Sequence, residues 1–152
     1  FKADAASIVP AQRAGSIAMA AGVNDGDWCP INPANMTAKA DDNIYVLGDA
    51  SMASSMPKSG FSANSQAKVA ANHIRGALTG SRVYEPRFAN TCWSLIGTND
   101  GIKVGANYKA GTEKIDVTDK FVSQGDETAD VRKATYEESI GWYEGITSDM
   151  VS

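Results

Sequence analysis

The most informative stretch of this sequence is NIYVLGD at residues 43–49, which a Ser- and Met-rich loop follows. Its apolar run is short and ends at Gly48 and Asp49, which is typical of a buried strand in a parallel sheet. A helix is predicted over 63–78, because small and apolar residues recur there at helical spacing, and Gly80 would end it. A strand, a loop and a helix in this order form half of a βαβ unit, whose ligands bind at the carboxyl edge of the sheet.

Outside this stretch, the predicted secondary structure changes after Gly80, where most of the predicted strands lie. Patterning predicts strands over 4–9, 89–97, 102–109, 115–118 and 121–122, and helices over 11–20 and 131–146. A turn containing Asn-Asp-Gly would join the two longer strands. The buried face of the last helix would carry Val131, Thr135, Tyr136, Ile140, Tyr143 and Ile146. The predicted fold class is therefore α/β passing into α+β.

Composition excludes several functional classes. The 152 residues carry 14 basic and 18 acidic side chains, and the net charge of −4 argues against a nucleic-acid partner. The sequence has no run of 18 apolar residues, so it predicts no membrane span. Two cysteines and one histidine are too few for a four-cysteine zinc site, an iron–sulfur cluster or a histidine-rich metal site. There is no C-x-x-C-H sequence, so haem is not expected to be covalently attached to this chain.

Gly48 and Asp49 form the first candidate site. Glycine lets a ligand approach the backbone closely, and an aspartate at a sheet edge accepts hydrogen bonds from sugar or ribityl hydroxyls. The alternative is that Asp49 only caps the following turn.

The turn Pro57-Lys58-Ser59-Gly60 forms the second candidate site. The start of the following helix offers unpaired N–H groups and a partial positive charge, which suit a phosphate or the electron-rich edge of a reduced flavin. The alternative is a plain helix cap by Ser59 or Ser62.

Cysteine and tryptophan provide the remaining candidates. Cys92 lies on a predicted strand and Cys29 in a loop. Cys92 is either a small core residue or a redox thiol, and a disulfide between the two cysteines is left open because sequence does not fix its geometry. Trp142 on the last helix packs in a core or contacts a flavin or another chain.

Four ordered stretches together resemble the flavoprotein subunit of flavocytochrome c sulfide dehydrogenase. They are IVPAQRAG at 8–15, NIYVLGD at 43–49 followed by MPKSGFSANSQAKVAA at 56–71, NTCWS at 90–94 and SIGWY at 139–143. The resemblance implies the C-terminal part of a longer, glutathione-reductase-like flavoprotein with two dinucleotide-binding domains. Residues 1–20 would end the second nucleotide-binding-like domain, 21–80 would complete the FAD domain, and 81–152 would form a small α+β flavin-binding domain.

The resemblance also implies a role for each candidate residue. Gly48 and Asp49 would lie at the ribityl chain of FAD, and Pro57, Lys58, Ser59 and Gly60 with the following helix would stabilise negative charge on the flavin. Trp142 would lie near the flavin ring. Cys92 would be half of a redox disulfide whose other cysteine lies in the upstream half, so Cys29 need not be its partner.

The implied reaction is sulfide oxidation in the periplasm. Sulfide would attack the disulfide to give a persulfide and a thiolate. Electrons would then pass through FAD to haem on a separate cytochrome c subunit. Two features depart from the family pattern: no G-x-G-x-x-G loop is present, and Phe61 stands where a tyrosine is expected. The lone chain is therefore expected to be inactive.

Two other interpretations stay open. One is a sulfide:quinone reductase-like enzyme or another disulfide flavoprotein reductase, although the ending at 145–152 is only mildly apolar, which argues against a membrane-bound quinone reductase. The other is a fragment with a structural or interaction role and no activity of its own.

Overall fold

The computed structural model describes residues 2–151 and has a mixed helix and strand architecture. Its elements in chain order are α1 (Ser16–Ala20), β1 (Cys29–Pro30), β2 (Thr37–Ala38), β3 (Asp41–Tyr45), a 3-10 turn (Gly48–Ala50), β4 (Ser51–Met52), α2 (Gly60–Thr79), β5 (Arg87–Gly97), β6 (Asp100–Ala110), β7 (Ile115–Val122) and α3 (Ala129–Asp149). This confirms the α+β part of the predicted fold class. The glutathione-reductase-like arrangement and the three-part division at residues 20 and 80 stay predictions.

A three-stranded antiparallel sheet in the order β5-β6-β7 forms the centre of the C-terminal part. Asn99 adopts a left-handed φ of 59° in the tight turn between β5 and β6, so the predicted hairpin is confirmed. The two short strands predicted over 115–118 and 121–122 are one continuous strand. Register places Cys92, Val104 and Val122 in one row across the sheet.

Helix α2 packs against β5 and joins the two halves of the chain. Gly80 ends the helix with a left-handed φ of 68°, as predicted, and the helix begins three residues earlier than predicted. The main core is shared between elements before and after residue 80: it contains Ile31, Met36, Ala53, Met56, Val69, Ala70, Phe88, Ala106, Tyr108 and Ile115.

The prediction of a buried parallel strand at 43–47 is wrong. β3 ends at Tyr45 and pairs antiparallel with the two-residue β2, and its side chains are exposed or half-buried. A continuous apolar run indicates burial on both faces only where parallel neighbours flank it. Within residues 2–151 the parallel pairing is between β1 and β4, two residues each.

The N-terminal predictions also need correction. Residues 4–9 form no strand and are exposed, and the helix predicted over 11–20 covers Ser16–Ala20 alone. Strand patterning is not enough here, because a strand needs a partner for its backbone groups.

The predicted buried face of α3 is wrong at three of its six positions. Thr135 is buried as expected and Tyr136 and Ile146 are half-buried, but Val131, Ile140 and Tyr143 are exposed. The face that packs on the sheet is centred on Thr135, and Arg132, Ser139 and Trp142, which the prediction left out, are half-buried. A close approach to the backbone of Gly101 explains this choice, because a side chain at residue 101 would meet Tyr136 N at 2.8 Å.

We expect Gly101→Ala to destabilise the fold by about 2 kcal/mol, since the new methyl group would force α3 away from β6. Gly141→Ala is the matched control, because nothing lies within 4 Å of its added carbon and alanine favours a helix interior. Urea unfolding of both variants measures the difference. Equal stability of Gly101→Ala and the unsubstituted chain would contradict the close packing of α3.

Candidate functional site

The Gly48 turn is fixed by helix α2. Gly48 has a left-handed φ of 66°, and a side chain at this position would reach 3.4 Å from Ala63 Cβ. Its N–H donates to Gln66 Oε1 at 2.7 Å, and its carbonyl accepts from Ser51 Oγ at 2.8 Å. Glycine is therefore favoured at residue 48 by its left-handed conformation, and an added side chain would be in van der Waals contact with Ala63.

Sequence reasoning missed Gln66. Its side chain is almost fully buried, and it lies on the same face of α2 as buried Ser62 and Ala70, four residues away on either side. A polar residue in the middle of the buried helical face is the pattern that would have found it, because buried polar groups need hydrogen-bond partners.

Lys58 closes the loop that carries Asp49. Its Nζ donates to the backbone carbonyls of Asp49 and Ser51, the latter at 3.0 Å, and lies 3.6 Å from the centroid of the Trp28 ring. Burial lowers the pKa of Lys58, while the charges of Asp49 and Cys29 oppose that shift. The ammonium therefore has a structural role in this turn.

Asp49 itself is exposed beside an open hollow of about 330 Å³. The hollow is lined by Gln12, Arg13, Ala14, Gly15, Trp28, Asp49, Ala50 and Lys58. The segment at 12–15, which the sequence resemblance singled out, thus lies against the Gly48–Asp49 turn. The carboxylate of Asp49 is available to accept hydrogen bonds from a ligand.

The turn at 57–60 leads into a capped helix N-terminus. Ser59 Oγ accepts the N–H of Ser62 at 3.1 Å, so the alternative reading of Ser59 as a helix cap is confirmed. The N–H groups of Gly60 and Phe61 have no intrahelical partners. Pro57 and Gly60 are exposed, so this end of α2 is open to a ligand.

Cys92 is an exposed free thiol, whereas Cys29 is a buried free thiol. Asn90 Nδ2 donates to Cys92 Sγ at 3.6 Å, and the cysteine borders a small hollow of about 160 Å³ that Lys103 and Val104 also line. Burial raises the pKa of the Cys29 thiol, although the charge of Lys58 opposes it. Cys29 is thus the core residue of the two, and the structure forms no bond between them.

Trp142 belongs to a cluster of three aromatic rings. It stacks on Phe61 with a centroid distance of 5.4 Å and an interplanar angle of 15°, and its centroid lies 5.7 Å from that of Trp93. Trp93 Nε1 is buried and has no hydrogen-bond partner among the described residues. The cluster joins α2, β5 and α3, so packing accounts for the position of Trp142.

The predicted site residues fall into two groups that meet at the turn 57–60. Asp49 and Lys58 line one hollow, with Gly48 next to Asp49 in the chain. Ser59 connects through Asn90 to Cys92 on β5. His73 donates to or accepts from the hydroxyl of Tyr45 at 2.8 Å, which fits a packing role. No cluster of three metal-ligating side chains occurs in residues 2–151.

The fold and the site define a small α+β domain in which an exposed thiol is connected to a helix N-terminus. Residues 84–151 match the family model described as flavocytochrome c sulphide dehydrogenase, flavin-binding. The match confirms the resemblance for this C-terminal portion of the chain, and the family matched is one of oxidoreductase flavoproteins. The matched range contains Cys92 and Trp142 and begins after α2.

The residues present fit one side of an FAD site. The exposed carboxylate of Asp49 would accept hydrogen bonds from ribityl hydroxyls, and the N–H groups at the start of α2 would donate to an anionic ring edge. A glycine-rich pyrophosphate loop is not part of the sequence. No helix in the described part of the chain has the length and apolarity needed to cross a bilayer.

Proposed function

We propose that this chain is the C-terminal portion of a periplasmic, sulfide-oxidising flavoprotein that passes electrons from sulfide through a redox disulfide and FAD to a cytochrome c subunit. The observation that carries the proposal is the exposed Cys92 in a domain of this flavoprotein family, connected by hydrogen bonds to the N-terminus of α2. The name of the family supports a cytochrome c partner, which would carry the haem.

The residues around the turn 57–60 would bind the flavin. Asp49 would accept hydrogen bonds from the ribityl hydroxyls, and Gly48 would let the ligand approach. The N–H groups of Gly60 and Phe61 would stabilise negative charge on the ring. Lys58 and Gln66 hold the Asp49 loop against α2. When bound, FAD supplies a two-electron acceptor that releases electrons one at a time.

Cys92 would react with sulfide. In the oxidised protein its Sγ would form a disulfide with a cysteine of the upstream half. Attack by HS⁻ on one sulfur of that bond forms a new S–S bond, breaks the old one and leaves the other sulfur as a thiolate. Such an oxidised pair is compatible with the periplasm.

The experiment that tests this proposal compares the full-length flavoprotein with the lone 152-residue chain. We expect the full-length protein to show flavin absorption bands and sulfide-dependent cytochrome c reduction. The lone chain should be colourless and inactive, because it has no pyrophosphate loop and its other cysteine, Cys29, is buried and not bonded to Cys92. Intact mass identifies the species in each sample.

Two results would contradict the proposal. Absence of sulfide-dependent cytochrome c reduction by the flavin-loaded full-length protein would exclude the activity. Turnover by a lone chain of verified mass would show that this portion alone holds the complete site.

A further inference from the structure

We propose that Asn90 is a positioning residue that fixes the sulfur of Cys92 and favours its thiolate form. The proposal rests on the proposed function, in which Cys92 is the redox thiol. Asn90 is buried on β5, two residues before Cys92, and its side chain lies between the start of α2 and that sulfur.

The orientation of the Asn90 amide follows from its hydrogen bonds. Ser59 Oγ already accepts the N–H of Ser62, so the hydroxyl proton of Ser59 is free to donate. That hydroxyl donates to Asn90 Oδ1, and the hydroxyl of Ser62 donates to the same oxygen at 3.2 Å. Both lone pairs of Oδ1 are thereby used, which leaves Nδ2 directed at Cys92 Sγ.

A fixed N–H donor has a chemical consequence for the sulfur. A hydrogen bond to the charged form of an acid stabilises that form, so Nδ2 favours the thiolate over the thiol. With the reverse amide orientation, Oδ1 would face Sγ and repel the anion. The two serine hydroxyls at the start of α2 therefore support the amide orientation that presents Nδ2 to Cys92.

Other elements packed around Cys92 contribute charged and titratable groups as well. Lys103 on β6 lines the same hollow, and its ammonium is paired with Glu138 of α3. Tyr108, also on β6, has a raised pKa, first because of burial and second because of the charge of Cys92. The α2 side contributes the neutral hydroxyls of Ser59 and Ser62.

The test is the pH dependence of iodoacetamide alkylation of the reduced chain, followed by mass spectrometry of the peptide containing Cys92. In Asn90→Asp the two serine hydroxyls keep an acceptor, but the donor to Sγ becomes a negative charge. We expect the alkylation rate at pH 7 to fall about tenfold and the profile to shift about one unit upward in pH. Asn90→Ala removes the donor without adding charge and should lower the rate about threefold.

Controls separate this effect from general changes in charge or folding. Asn107→Asp introduces the same charge at an exposed position of β6 and should leave the profile of Cys92 unchanged. Cys29 serves as the buried internal reference, and circular dichroism checks the fold of each variant. If folded Asn90→Asp, or folded Asn90→Ala where the first variant is unfolded, has the unsubstituted profile, the proposal is overturned. The readout needs no flavin and no turnover, so it is independent of the test of the proposed function.

Discussion

Replacement of Cys92 by serine in the full-length protein is expected to abolish sulfide-dependent cytochrome c reduction while FAD stays bound. Serine lacks the sulfur that must form and release the disulfide bond, and its hydroxyl is neither a disulfide partner nor an electron carrier. The structure supports a local effect, because Cys92 is exposed and lies outside the main core. The loss of turnover should exceed a thousandfold, on the order of the losses seen when a covalent catalytic group is removed.

The matched control for this experiment is Cys29→Ala. Cys29 is fully buried among small apolar side chains, so its loss should lower stability by about 1 kcal/mol and leave turnover intact. Flavin absorbance at equal protein concentration shows whether each variant keeps its cofactor. Undiminished turnover by Cys92→Ser would refute the assigned role, and loss of turnover in Cys29→Ala with flavin still bound would transfer the redox role to Cys29.

Turn and capping residues correctly predicted the elements whose ends are set by residues close in sequence, namely the β5–β6 hairpin and α2. The β5–β6 hairpin follows from an Asn-Asp-Gly turn, and α2 follows from a serine cap at Ser59 and a glycine at Gly80. The structure confirms each of these, because the turn and the caps satisfy backbone groups without help from distant parts of the chain.

Predictions that depend on distant partners were wrong. The run at 43–47 has the composition of a buried parallel strand, but its ladder partner is the short antiparallel β2. Apolar spacing correctly placed Thr135 on the buried face of α3, but it also placed Val131, Ile140 and Tyr143 there, which are exposed. The close contact with the backbone of Gly101 decides which side of the helix meets the sheet. Sequence patterns indicate which residues prefer burial, whereas the partner surface decides which of them are buried.

In the candidate site, too, the residues marked by local patterns were predicted, and those whose roles depend on distant partners were not. Gly48, Asp49 and the turn 57–60 are marked by residue types that loops require, and the structure places them together at the start of α2. Gln66 and Asn90 are polar residues whose roles depend on hydrogen bonds to segments 18 and 31 residues away. Such partners are invisible in a local pattern.

Replacement of Asp49 by alanine in the full-length protein is expected to weaken FAD binding by about ten- to a hundredfold. A hydrogen bond to a carboxylate contributes about 1.5–3 kcal/mol, and Asp49 is the exposed carboxylate of the hollow beside the turn 57–60. Asp49→Asn keeps one acceptor oxygen and should have an intermediate effect. Equilibrium dialysis against free FAD measures the dissociation constant directly.

Asp42→Ala provides the matched control, because Asp42 is an exposed aspartate on β3 outside the residues that line the hollow. It removes the same charge and should leave FAD binding unchanged. The fold of Asp49→Ala should also persist, since Lys58 and Gln66 hold this loop through backbone groups of Gly48, Asp49 and Ser51 and need no carboxylate. If Asp49→Ala and Asp42→Ala bind FAD equally well, Asp49 is a residue of the turn and the flavin contacts of this chain lie elsewhere. If only Asp49→Ala loses affinity, the loop that Gln66 and Lys58 anchor to α2 serves to present one carboxylate to the cofactor.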